Sequence, residues 1–318
     1  YKVHHSFSMY DAVARIEHVQ PPSGSGVILA TWIVAALAIC AIIYELAFPQ
    51  QSWSDSFARL RSLRDSPQGG DAAVESKHKT DAEQKDAPPA PPSDLYERRW
   101  TFLIFSCTAI AAADLYYNMP GTFIVGEVQS MGIDTGIAGL YIGLAGFLAM
   151  PTILFVPWLS QFLALTDLVR IGSAVFVFVA TVQGFANQFS KTGFLVLLMV
   201  SRFLEGLPLG IIETASAVLT NKAFPVDEIG GAMAILMTLR GSIITASAPV
   251  GGLLYKTGGF SLPFTVIGGL GIAAIPVLRC LITKPPITPD KPASILVVLK
   301  VPGAMAIFFS YFSGIYIL

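Results

Sequence analysis

Polar and apolar residues in this chain are segregated into long blocks, not alternated at the period of a strand or of a half-buried soluble helix. Eight stretches are apolar nearly throughout, at about residues 26–44, 101–125, 137–159, 168–185, 194–219, 233–255, 262–281 and 294–318. Each provides the roughly 20 residues that a helix needs to cross about 30 Å of hydrocarbon, where every backbone polar group has to be satisfied within the segment. The pattern predicts an all-α, multi-pass integral membrane protein. The first stretch lies too far from the chain start, and lacks the basic region before it, to be a cleaved signal. The sequence opens on Tyr1 and ends inside the eighth stretch, which implies a processed or partial chain.

The connection between the first two stretches is of a different kind. Trp53, Phe57 and Leu60 recur at helical spacing beside Arg59, Arg61 and Arg64, a pattern that fits either a short basic helix on an anionic membrane surface or the start of a solvated linker. Residues 65–94 hold five prolines, no aromatic residue and dense mixed charge, a composition that cannot bury enough apolar area to offset ordering, so they are predicted to be disordered. The chain therefore divides into an N-terminal segment with one helix (1–48), a basic and disordered linker (49–98), a six-helix bundle (99–282), and a loop with a partial further helix (283–318). The first helix is expected to stand apart from the bundle.

Lysine and arginine set orientation. Residues 49–100 carry Arg59, Arg61, Arg64, Lys77, Lys79, Lys85, Arg98 and Arg99, and residues 283–300 carry Lys284, Lys291 and Lys300, whereas residues 126–136 carry none. Both basic connections are predicted to be cytoplasmic, with the N-terminus, holding only Lys2 and Arg15, on the other side.

Composition narrows the function. At 53% hydrophobic, 13% charged and a mean hydropathy of +0.64, the chain is outside the soluble range. Its net charge of −1 gives nucleic-acid binding no electrostatic basis. Cys40, Cys107 and Cys280 all fall in apolar stretches and are expected to be buried free thiols, and His4, His5, His18 and His78 all lie outside those stretches. Neither a metal site nor a cofactor is expected. With no phosphate loop and no nucleophile elbow, the chain does not read as an enzyme.

Five ionisable residues lie well inside the apolar stretches: Asp114, Arg202, Glu205, Glu213 and Arg240. Each costs about 2.5–3.5 kcal/mol at mid-bilayer, so they must face one another or a water-filled path. Arg202 and Glu205 are three apart and Glu213 is eleven from Arg202, which puts all three along one stripe of one helix. Three carboxylates against two guanidiniums leave one negative charge, to be cancelled by a proton, an inorganic cation or a cationic substrate. Asp114, Glu205 and Glu213 are the candidate substrate or proton path, and Arg202 and Arg240 the charge-pairing partners. The competing structural reading is that Arg202 with Glu205 only pins helices together. Gly139 with Gly143, and Gly206 with Gly210, are small residues four apart that let helix backbones approach. Pro151, Pro157, Pro208, Pro249 and Pro276 are expected to bend their helices.

The run from Ser201-Arg202-Phe203-Leu204-Glu205-Gly206 through Pro208 and Gly210, continuing with Glu213 to Pro225, resembles the fourth helix and following loop of the major facilitator superfamily. Within that superfamily it is similar to the vesicular amine and polyamine transporters. Ala248-Pro249-Val250-Gly251-Gly252-Leu253-Leu254-Tyr255 resembles the family's antiporter motif, with Pro249, Gly251 and Gly252 in packing and bending roles, and Asp114, followed by Asn118 and Pro120, matches its first-helix acid. The sequence departs from the family pattern in the nearly uncharged loop 157–166, and in Arg240, Ile244 and Ala248, where small residues or glycine are usual. The resemblance covers about residues 99–318. It implies a six-helix half of the fold plus a partial seventh helix, with the helix at 26–44 as an extra. It also implies proton-coupled antiport of a small organic cation across a vesicle or organelle membrane. The alternative is a transport-inactive accessory subunit of a larger membrane complex, meeting other membrane subunits through the N-terminal helix.

Overall fold

The structure, a computed structural model, describes residues 25–47 and 96–282. The basic segment at 53–64, the linker at 65–94, the four histidines and the stretch 294–318 lie outside the described residues. Among the described residues there is no strand, and seven helical spans are long and apolar enough to cross a membrane.

The helices are α1 (Ser25–Ala47), α2 (Arg99–Asn118), α3 (Ile124–Ser130), α4 (Gly136–Leu159), α5 (Leu165–Gln183), α6 (Lys191–Ala223), α7 (Val226–Gly258) and α8 (Ser261–Leu281). Most run a few residues past the apolar stretches, because polar residues at an interface still favour helix. Asp227 and Glu228 lie in the first turn of α7 and Lys256 in its last, each complementing the helix dipole. The predicted stretch 101–125 departs most from expectation. It breaks at a 3₁₀ turn, Met119–Thr122, and continues as α3. Pro120 has no N–H to donate to the preceding turn, so the α-helix stops there.

α6 is the central helix. Gly206 and Gly210 meet Ala145 and Ala149 of α4 so closely that a Cβ on Gly206 would overlap the Ala145 carbonyl, and one on Gly210 would lie 2.7 Å from the Ala149 carbonyl oxygen. Gly139 and Gly143, the other predicted pair, meet nothing within 4 Å. The antiporter-like glycines also differ: a Cβ on Gly251 would sit 2.8 Å from the Met119 carbonyl oxygen, whereas Gly252 faces open space. Among the described residues only Gly251 of the two makes a close approach, because adjacent helical residues point about 100° apart and one of them faces the 3₁₀ turn. The predicted prolines, 151, 157, 208, 249 and 276, all lie inside helices.

Aromatic residues fill the end of the bundle away from the linker. Phe123 stacks on Tyr255 with centroids 4.9 Å apart and meets Phe264 edge-on at 5.8 Å, and Tyr116 donates to the Phe264 carbonyl at 3.2 Å. Gly259, at φ +72°, reverses the chain between α7 and α8. α7 is the least covered bundle helix, with only Ala232, Leu236, Ser247 and Gly251 buried.

Two expectations are corrected. α1 does not stand apart: it packs along α5 and α8, with Trp32 against Phe185 at 4.4 Å and a hydrogen bond between the Thr31 and Thr265 hydroxyls. Hydrophobic character alone gave no sign of this, since lipid and protein are equally apolar neighbours. The cysteines are free but not buried by protein: Cys40 and Cys280 are exposed on helix surfaces and Cys107 is half-buried. Their apolar stretches put them in hydrocarbon, which is a different matter from packing inside a core.

Candidate functional site

The five intramembrane charges separate into two clusters along the α2–α6 wall. Glu213, near the middle of α6, and Asp114, in α2, converge on one guanidinium from α7. Arg240 Nε lies 3.1 Å from Asp114 Oδ2, and Arg240 Nη2 donates to Glu213 Oε1. Asp114 is almost fully buried, while the Arg240 side chain keeps 24% of its surface exposed, so the guanidinium stands at the mouth and the aspartate behind it. Asn118 Nδ2 donates to the Asp114 carbonyl at 2.8 Å, anchoring the last turn of α2 just before the 3₁₀ break.

The second cluster is enclosed. Arg202 Nη1 donates to Glu205 Oε2 at 2.7 Å, one turn along α6, and Nη2 donates to the Tyr117 carbonyl at 2.9 Å. The guanidinium lies 4.1 Å from the Tyr117 ring centroid and 4.9 Å from that of Tyr141. Gln183 Nε2 donates to the same Glu205 oxygen at 3.1 Å, and its carbonyl accepts from the Tyr141 hydroxyl. Arg202 and Glu205 thereby join α2, α4, α5 and α6 at one level.

Glu213 therefore does not meet Arg202 and Glu205, as a single stripe implied. Eleven residues of helix carry it about 16 Å further along the axis, beyond side-chain reach of Arg202. The excess carboxylate can now be located. Among the described residues Arg202 pairs with Glu205, and Asp114 and Glu213 share Arg240, so the half-open cluster holds two carboxylates and one guanidinium. A shallow groove of about 500 Å³ runs between α2 and α7, lined by Trp100, Leu103, Cys107, Ala111, Ile235 and Leu239 among others. The groove's lining is apolar apart from Thr108 and Cys107, and Ala111 lies one turn before Asp114 on α2.

Several polar residues at this level of burial escaped the sequence reading. Gln183 and Tyr141 are uncharged and sit in stretches that read as generic membrane helix. Glu45, Asp167, Arg170 and Arg279 lie at the ends of their helices, where charge is ordinary. The Asp167–Arg170 spacing of one turn was the signal available for that pair. At the opposite end Tyr255 donates to Glu127 Oε2 at 2.6 Å, tying α7 to α3.

Comparison with known proteins adds the following. A family model described as Major Facilitator Superfamily matches residues 104–318. The purine ribonucleoside efflux pump NepI of Escherichia coli O127:H6 is 25% identical over 214 residues, covering 65% of this chain and 51% of its own length. The NepI of Shigella dysenteriae serotype 1 matches with the same identity and coverage: 25% over 214 residues, 65% and 51%. The MFS-type transporter SLC18B1 of Rattus norvegicus is 25% identical over 172 residues, 52% of this chain and 36% of its own. The chain thus spans about half the length of the NepI proteins it matches.

Proposed function

The chain belongs to the major facilitator superfamily, and from that premise we propose that it forms part of a transporter exchanging protons for a small organic cation, of the amine or polyamine class. The observation that carries the reading is the sharing of Arg240 by Asp114 and Glu213, two carboxylates to one guanidinium among the described residues of a membrane-spanning bundle. An uncompensated charge there costs about 2.5–3.5 kcal/mol, so a proton or a cation occupies the cluster in each working state. A substrate ammonium group entering at Arg240 replaces the guanidinium on one acid, and the proton leaves. The apolar groove along α2 and α7 receives the hydrocarbon part of the substrate. Arg202 and Glu205, enclosed and mutually paired, hold the helices in register. An acidic vesicle or organelle is the proposed setting, since its proton gradient drives loading.

NepI is named for the efflux of purine ribonucleosides. The excess carboxylate favours a cationic cargo over a neutral one. The second reading is a transport-inactive accessory subunit, favoured by α1, which docks at the rim of the bundle and turns Leu29, Ile33 and Leu37 outward.

The test is uptake by the full-length protein in proteoliposomes with an imposed pH gradient, with a labelled polyamine and a labelled purine ribonucleoside as probes. Gradient-driven polyamine uptake is expected, with a loss of at least about tenfold in Asp114→Asn, the equivalent of roughly 1.4 kcal/mol or more. Undiminished polyamine transport by that variant refutes the site, and uptake of the ribonucleoside alone refutes the cation class. A folded but inactive wild type supports the accessory reading.

A further inference from the structure

α1 contributes no residue to the cluster around Arg240, yet a buried charge lies within its own contact with the bundle. Thr31, Ala35, Ala38 and Glu45 are spaced by four, three and seven residues, which places them on one helix face, and all four are at most 5% exposed. Leu29, Ile33, Leu37 and Ile43 on the other faces are exposed. The small side chains allow close approach, such that a Cβ on Gly268 would lie 3.1 Å from Val34 Cγ1. In a membrane apolar area does not favour docking over contact with lipid, so the attachment depends on packing, hydrogen bonds and charge.

Glu45 supplies the charge. Its Oε1 accepts from Arg279 Nη1 of α8 at 3.2 Å, and its Oε2 forms an ion pair with Arg170 Nε of α5, also at 3.2 Å. Arg170 is fully buried and also pairs with Asp167. Among the described residues the carboxylates that pair with Arg170 and Arg279 at this end of the α5–α8 seam are Asp167, from α5 itself, and Glu45, from α1. The N-terminal helix thus brings one acid that contacts an arginine on each of the two bundle helices.

We propose that the α5–α8 seam is a receptor for the chain's own N-terminal helix, with Glu45 as the positioning residue that straps the two bundle helices together at the linker end. α1, α5 and α8 then move as one body, and the linker starts from a fixed point on the seam. The docking is specific for a helix bearing a carboxylate at the level of Arg170 and Arg279, so an apolar helix of equal length does not replace it.

The experiment measures docking and does not depend on any transport activity. In the full chain, with Cys40, Cys107 and Cys280 replaced by serine, cysteines are placed at Val34 and Gly269, where a Cβ would lie 4.0 Å from Val34 Cγ2 in otherwise open space. Oxidative cross-linking is followed in nanodiscs. A fast cross-link within one chain is expected, slowed at least about tenfold by Glu45→Arg and by the milder Glu45→Gln, because each leaves the arginines short of an acid. Adding Arg279→Glu to Glu45→Arg restores the opposite-charge pair and is expected to recover the parent rate to within about threefold, or to recover folding if the single variant fails to fold. The proposal is overturned if Glu45→Gln cross-links as fast as the parent, if the charge swap recovers nothing, or if the cross-link joins two chains.

Discussion

Arg202→Ala separates the energetics of the enclosed cluster from that of ordinary packing. Arg202 is 2% exposed and makes two hydrogen bonds, at 2.7 Å to Glu205 and 2.9 Å to the Tyr117 carbonyl. Truncation leaves Glu205 fully buried with Gln183 as its remaining hydrogen-bond donor among the described residues. A stranded buried charge costs about 3–5 kcal/mol. Loss of the contacts with the two tyrosine rings adds roughly 0.5–2 kcal/mol. For a unit of this size about 1 kcal/mol corresponds to roughly 2–4 °C in Tm, so Arg202→Ala is expected to lower the Tm of the purified protein by about 10 °C or more. The double variant Arg202→Ala/Glu205→Gln removes the stranded charge and should regain most of the 3–5 kcal/mol, leaving only the packing and tyrosine losses. Thermal unfolding in a single detergent, followed by tryptophan fluorescence, gives the three Tm values needed. A double variant as unstable as Arg202→Ala would refute the account, because the cost would then come from lost volume and not from the uncompensated carboxylate.

Gly206→Ala is expected to lower stability by about 1–3 kcal/mol because α4 and α6 must separate, whereas Gly252→Ala, facing open space, stays within about 0.5 kcal/mol; the same thermal assay compares them. Tyr255→Phe keeps the ring stack on Phe123 but deletes the donor to Glu127, at an expected cost of about 1.5–3 kcal/mol, and Glu127→Gln should be milder because an amide oxygen still accepts. Cysteines placed at Ser130 and Asp290 should react with a membrane-impermeant maleimide from opposite sides of sealed vesicles; labelling of both from one side contradicts the orientation read from the basic loops.

Much of this architecture is determined by the sequence alone, for a physical reason. Hydrocarbon offers backbone groups no partner, so an apolar run of about 20 residues has one solution, and seven of the eight predicted runs correspond to described helices. The same reasoning picks out Asp114, Arg202, Glu205, Glu213 and Arg240, since each is expensive wherever it lies. Helical periodicity assigns a residue to a face but does not name the helix opposite. The division into an enclosed Arg202–Glu205 pair and an open cluster around Arg240 was decided by how α2, α6 and α7 meet. Likewise Gly206 and Gly139 sit in equivalent small-residue patterns, and only the approach of α4 to α6 distinguishes the one in contact. The docking of α1 was the least legible feature. Its buried face is made of threonine and alanine, which are ordinary residues in a membrane helix, and Glu45 lies at a helix end where a charge needs no partner. Only with α5 and α8 beside it does that carboxylate acquire two arginines, because a buried charge is settled by its neighbours in space and the sequence lists neighbours along the chain.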